Sequence, residues 1–334
     1  MDEGLSNKIA NLGIISAVLV VVIHAASFPA TSTIDKWWNG IMVDGFCRMA
    51  VPYFFIVSGF LLARHCTERG WYVKSIQKRI KTLLVPFIVW NFLAFLLIYV
   101  LGANQDVTLS KVVADAFGVY PFSWPPHSPL WYVRSLMLYV VISPLIFWLS
   151  RRNLMSICIL ALGYLYVEVF PIGLSRNVRA FANQFLSVSG LFYFSWGAII
   201  ATHDIKLPRL GHKVVYALFC ASLLMFVFSV LYVDGALHMV CFAARKFGAL
   251  VALAGAWMIV PSVKWPDGIV KFAFPLYVLH IFPIIVWRYC YGTSLRGAPL
   301  TLMAICLAYI GHTIVYRLSP KLASALYGGR YEKC

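Results

Sequence analysis

The chain has 334 residues, of which 61% are hydrophobic and only 12% charged, and its mean hydropathy is +0.81. That leaves too little polar surface to cover a soluble core or to build a conventional nucleic-acid-binding face, so lipid must be its solvent. The formal charge of +16, from 28 basic and 12 acidic residues, is first a topology signal and second a hint of an anionic ligand.

Apolar runs recur near 9–28, 45–63, 82–101, 129–149, 154–172, 185–202, 214–232, 247–260, 269–288 and 299–318. A helix of about 20 residues crosses a hydrocarbon core about 30 Å thick. The expected fold class is therefore an all-α polytopic membrane protein, a bundle of about ten transmembrane helices forming one domain over 1–334. The eighth run is short, and a start near Leu237 would bring Arg245 and Lys246 to its edge or inside it. No internal repeat of the kind many transporters carry is evident. With the N-terminus inside, the inner segments hold 18 Lys and Arg residues and the outer segments 8, which supports cytoplasmic placement of both termini. Cys241 and Cys290 both fall near predicted outward loops, and a bridge between them stays open.

Between the second and third runs lies RHCTERGWYVKSIQKRIK (64–81). Lys74, Lys78 and Lys81 share one helical face there. The segment reads as an interfacial amphipathic helix on anionic lipid, and equally as a cytoplasmic phosphate-binding surface. On the second reading Arg64, Lys78 and Arg79 hold the phosphates of a nucleotide-like donor.

Ionisable groups inside spans are costly and functional by default. Here they are His24, Arg48, Arg134, Glu168, His280 and His312. At a rise of about 1.5 Å per residue, His24 lies about 20 Å beyond Asn11. Arg48 lies about 6 Å below the outer edge and Arg134 about 7 Å, so three polar groups on three spans reach the outer half. The plainer reading is a packing histidine, an arginine that snorkels to the interface, and a Glu168 that only pairs with an arginine. Carboxylates are too scarce for a two-carboxylate glycosidase, and HExxH, P-loop and GxSxG patterns are absent. A His base with Arg stabilisers suits acyl transfer to a hydroxyl. A transporter or flippase with His and Arg on its substrate path is the alternative.

Five strings then fall in one order: VLVVVIHAAS (18–27), FCRMAVPYFFIVSGFLLA (46–63), KRIKTLLVPFIVWN (78–91), HSPLWYVRSLMLY (127–139) and FPLYVLH (274–280). Together they resemble the acyltransferase-three family of integral membrane acyltransferases, over nearly the whole chain. The resemblance implies an essential His24 and places Arg48, Ser58, Gly59, Trp131, Arg134 and His280 on family motifs. His24, Arg48 and Arg134 are the catalytic candidates; Ser58, Trp131, Tyr132, His280 and Glu168 are the substrate-binding candidates. It further implies transfer of an acyl group, most often acetyl, from cytoplasmic acyl-CoA (acetyl-CoA), with no permanently bound cofactor or metal. The implied acceptor is a hydroxyl of an envelope polysaccharide or lipid-linked sugar, and the implied location is the bacterial plasma membrane, among membrane lipid and without nucleic acid. One departure stands out: the family usually carries an Arg eleven residues before the first-span His, where this chain has Gly13.

Overall fold

The computed structural model describes residues 2–26, 32–102, 110, 113, 127–152, 161, 165, 186–205, 211–232, 237–292 and 294–329. Among the described residues there is no strand, and eight helices are long and apolar enough to cross a membrane. With one shorter apolar helix and one terminal helix they are α1 (Glu3–Ala25), α2 (Thr33–Ala63), α3 (Trp71–Val100), α4 (Ser128–Arg151), α5 (Val188–Thr202), α6 (His212–Tyr232), α7 (His238–Ile259), α8 (Asp267–Tyr291), α9 (Ala298–Leu318) and α10 (Pro320–Leu326). The protein is an all-α polytopic membrane protein. Every apolar run except 154–172 finds its helix; that run, and Glu168 within it, lie outside the described residues. The sixth run forms only the 15-residue α5. The eighth does begin early, so Arg245 and Lys246 lie inside α7.

One expectation changes form. The basic segment 64–81 does not make a separate interfacial helix: its residues from Trp71 onward are the first turns of α3. Trp71–Arg79 is α-helical, Ile80–Leu84 is a π turn, and Val85–Val100 is α-helical again. Pro86 accounts for the widened turn, because its ring displaces the carbonyl of Thr82 and it has no N–H to donate.

Prolines govern the other spans in the same way. In α2, Pro52 follows the 3-10 turn Phe46–Met49 that interrupts the helix. In α4, Pro144 cannot donate to the Val140 carbonyl, and the Ser143 hydroxyl donates to it instead at 2.7 Å. In α8, the helix breaks at His280, three residues before Pro283. Backbone groups freed inside a membrane span must find partners nearby, so each proline leaves a local irregularity rather than a loop.

The described chain falls into two compact units. The first comprises Met1–Phe54, Lys206–His280 and Tyr291–Leu307. In it α6 packs along α7, and α1 packs on the first half of α8 and on the turn Phe46–Met49. Phe46 sets its ring edge-on to Phe226 of α6 at 4.9 Å, which fixes that turn against the unit's core. Asn11 of α1 donates to the carbonyls of Pro261 and Val263, at 3.0 and 2.8 Å, and so binds the loop after α7 to α1. The second unit comprises Phe55–Ile205, Ile281–Cys290 and Ala308–Cys334. There α2 and α5 meet backbone to backbone: a β-carbon at Gly59 would strike the Phe194 carbonyl, and one at Gly197 the Ile56 carbonyl.

Candidate active site

The first unit brings two imidazoles together. His24 lies in the last turn of α1, half-buried. Its ring centroid is 5.4 Å from that of His280, with the planes tilted by 42°. His280 is fully buried at the break in α8. Its Nδ1 stands 3.0 Å from the Leu276 carbonyl. A carbonyl only accepts, so Nδ1 carries the proton, and in the neutral ring the basic atom is Nε2. Tyr277, one turn earlier, has its ring 6.5 Å from the His280 ring.

The end of α1 that carries His24 is tied down. The Gly297 amide donates to the Ala25 carbonyl at 2.8 Å. Arg296, beside it, pairs with Asp35 at 3.4 Å. The other end of the helix bears on the Gly13 departure. A β-carbon at Gly13 would lie 3.6 Å from the Tyr53 hydroxyl, which donates to the Ile9 carbonyl. The Tyr53 hydroxyl thus lies beside the place where the family usually carries an arginine.

Arg48 is not the buried group that its place in the second run suggests. It sits in the 3-10 turn Phe46–Met49 with 49% of its side chain exposed, and Nη2 donates to Asp44 at 2.9 Å. The second oxygen of Asp44 lies 3.7 Å from Nη1 of Arg245. Arg245 in turn donates from Nε to the Ser229 hydroxyl at 3.0 Å. The i,i+4 spacing of Asp44 and Arg48 is a signal that reading the sequence could have used. The approach of Arg245 to Asp44, from 201 positions away, had no such signal.

The second unit gathers the remaining candidates. The Ser58 and Tyr132 hydroxyls are 2.9 Å apart. The Phe55 ring lies tilted against Tyr132 at 4.5 Å, Trp131 at 6.0 Å and Tyr139 at 5.5 Å. Trp131 and Tyr132 therefore face Phe55 and pack α4 against α2. Arg134, one turn further along α4, is 7% exposed. Arg64 is exposed and sits over the Phe60 ring at 5.6 Å. Lys74, Lys78 and Lys81 are all exposed, while Arg79 is half-buried. His312 packs edge-on to Tyr327 at 5.3 Å. Cys241 and Cys290 are both free thiols, so the bridge that the sequence left open is not formed.

With this geometry in place, similarity to known proteins can be weighed. A family profile described as an acyltransferase domain matches residues 11–317. The chain belongs to this acyltransferase family. It is also similar to the succinoglycan biosynthesis protein ExoH of Rhizobium meliloti (strain 1021), 24% identical over 361 aligned residues that cover 99% of this chain and 94% of that protein. No solved structure matches the chain. Membership favours acyl transfer over the transport alternative that the buried His and Arg had raised.

Proposed function

We propose that this membrane acyltransferase moves an acyl group, acetyl in the first instance, from cytoplasmic acyl-CoA to a hydroxyl of a cell-envelope carbohydrate or lipid-linked glycan. The observation that carries the reading is the His24–His280 pair in a chain spanned by an acyltransferase profile. The polysaccharide acceptor is supported by the name of the similar protein, which speaks of succinoglycan biosynthesis. That acceptor class supports a place in the bacterial plasma membrane, and the loop charges support cytoplasmic termini.

In this reading His24 is the general base. It takes the proton from the acceptor hydroxyl as that oxygen attacks the thioester carbonyl carbon. The new C–O bond forms, the C–S bond breaks, and the proton passes from His24 to the departing CoA sulfur. The last turn of a helix favours positive charge by about 0.3–1 kcal/mol, so the carbonyl end of α1 steadies the charge that develops on the ring. His280 is held in place by the bond from its Nδ1 to Leu276 and presents a fixed ring beside it. Ser58, Trp131, Tyr132 and Arg134 are assigned to substrate binding, and the exposed Arg64 and Lys78, with Arg79, to the donor's phosphates.

The test is direct. Purified protein is given labelled acetyl-CoA with and without a glycan acceptor, and free CoA and labelled ester are measured. Thioester consumption that needs the acceptor and disappears in His24→Ala supports the reading; wild-type protein that leaves the thioester intact with every envelope glycan of its host overturns it.

A further inference from the structure

The pairing of Arg48 with Asp44 and Arg245 has no part in the acyl-transfer chemistry above, and its composition is unusual for a packing contact. Among the described residues two guanidiniums meet one carboxylate, at 2.9 and 3.7 Å, so positive charge is in excess there. Each guanidinium carries five N–H donors. Among the described residues Arg48 uses Nη2 on Asp44 and Arg245 uses Nε on Ser229 in hydrogen bonds. The Arg245–Asp44 separation of 3.7 Å is beyond hydrogen-bond range, so that contact contributes charge attraction but no bond.

The setting also points to a ligand. Arg245 lies inside α7 with 22% of its side chain exposed, and Asp44 with 25%. Both are recessed, whereas Arg48 is open along half of its side chain. Ser229 and Asp44 fix the orientation of the Arg245 fork, and Asp44 fixes that of Arg48. A fixed planar fork reads a planar carboxylate, while loose attraction to lipid headgroups is served by mobile lysines. The turn that carries Arg48 packs on α1, the helix that carries His24, and on α7.

Resting on the acyltransferase reading, we propose that Arg48 and Arg245, held by Asp44, bind a carboxylate of the acceptor, so that the preferred acceptor is an acidic glycan containing uronic acid.

The experiment uses the full chain in neutral detergent and three probes: a glucuronate-containing tetrasaccharide, its neutral glucose counterpart of equal length, and phosphatidylglycerol mixed into the micelle. Binding is measured by calorimetry at 50 and 300 mM salt. The acidic tetrasaccharide should bind at least about tenfold more tightly than the neutral one, more weakly at the higher salt, and should lose most of that preference in Arg48→Gln. Arg48 is exposed enough for this variant to fold; Arg245→Gln is the second variant and should lose the same preference. Equal binding of the two tetrasaccharides, or an acidic preference that survives Arg48→Gln, overturns the site. So does binding of phosphatidylglycerol that excludes the acidic sugar, since the arginines would then serve the bilayer. Thioester consumption on the same preparation separates the two ideas: transfer without acidic preference removes this site alone, and acidic preference without transfer removes the acyltransferase reading alone.

Discussion

The two units differ in the kind of side chain that their polar contacts join. In the second, hydroxyls meet carbonyls or each other, some across the sequence, as Ser58 meets Tyr132 and Tyr72 the Val141 carbonyl, and several within one helix. Ser135 donates to Trp131, Ser143 to Val140 and Ser150 to Ile146, all three or four residues back. Tyr139 donates to the carbonyls of Leu186 and Ser187, at the entry to α5. In the first unit the polar groups reach across the sequence: His24 to His280, Asn11 to Pro261 and Val263, Arg245 to Asp44. Local satisfaction lets a span stay apolar to its neighbours, and packing then rests on rings and glycines. Long-range satisfaction assembles side chains of different chemistry, which is what a reaction needs. The first unit thus joins imidazoles and charged groups across the sequence, while the second joins mainly hydroxyls, carbonyls and rings.

Four variants and one control break or sharpen this contrast. His24→Ala should lower transfer by about 10²–10⁴-fold, the usual contribution of a general base, with a detergent melting temperature close to wild type. A folded variant that keeps more than about half the activity would make His24 structural. Phe55→Ala acts on the other unit and should lower stability. Removing a fully buried ring that contacts Trp131, Tyr132 and Tyr139 should cost about 3–5 kcal/mol of stability, read as a lowered chemical or thermal midpoint.

Arg134→Lys tests whether the second unit also touches substrate. If the planar fork orients an acyl or sugar oxygen, lysine should lose about tenfold in kcat/KM, about 1.4 kcal/mol; activity like that of wild type would return Arg134 to the packing side of the comparison. Smaller still, the double variant Lys78→Gln with Arg79→Gln should raise the KM for acetyl-CoA a few-fold, more at low salt than at high, and leave kcat nearly unchanged. An unchanged KM at both salts would remove the donor surface from α3.

The control is Glu68→Gln. The His65 ring bonded to Glu68 at 2.7 Å holds its carboxyl below the usual carboxylate range. Any stability from this pair is therefore present above the ordinary carboxylate pKa and lost as the pH falls through the depressed value. The pair is exposed, so the melting temperature at neutral pH should move by less than about 1 °C. A larger drop would mean that the turn before α3 carries more of the fold than its exposure implies.

Hydropathy made the spans legible because lipid demands long apolar helices, and it placed α4, α6 and α9 within a few residues, while α2 begins 12 residues before its run. It misread 64–81, where a charged stretch runs on into an apolar one. Composition changes there, but the backbone stays helical because nothing stops it before Pro86. His24 and His280 were each legible as costly groups in spans, yet their closeness was not, since it depends on where Pro283 breaks α8. Depth counting made Arg48 look buried because it takes a straight helix from Asp44. The chain turns through Phe46–Met49, and half of the side chain is exposed there beside Asp44. Arg245 was counted as loop charge, and no periodicity ties it to Asp44.

The π turn at Ile80–Leu84 has a meaning for how this chain can change. A π turn holds one residue more than the α-helix would use, and each residue of an α-helix turns the chain by about 100°. The basic turns of Trp71–Arg79 and the apolar turns of Val85–Val100 are thus two lengths of rod joined by a slipped gear tooth. Removing or adding a single residue at that joint swings the charged face about the axis while the apolar length stays seated in its place. Selection can therefore aim the charged face at a new angle without recutting the core beneath it.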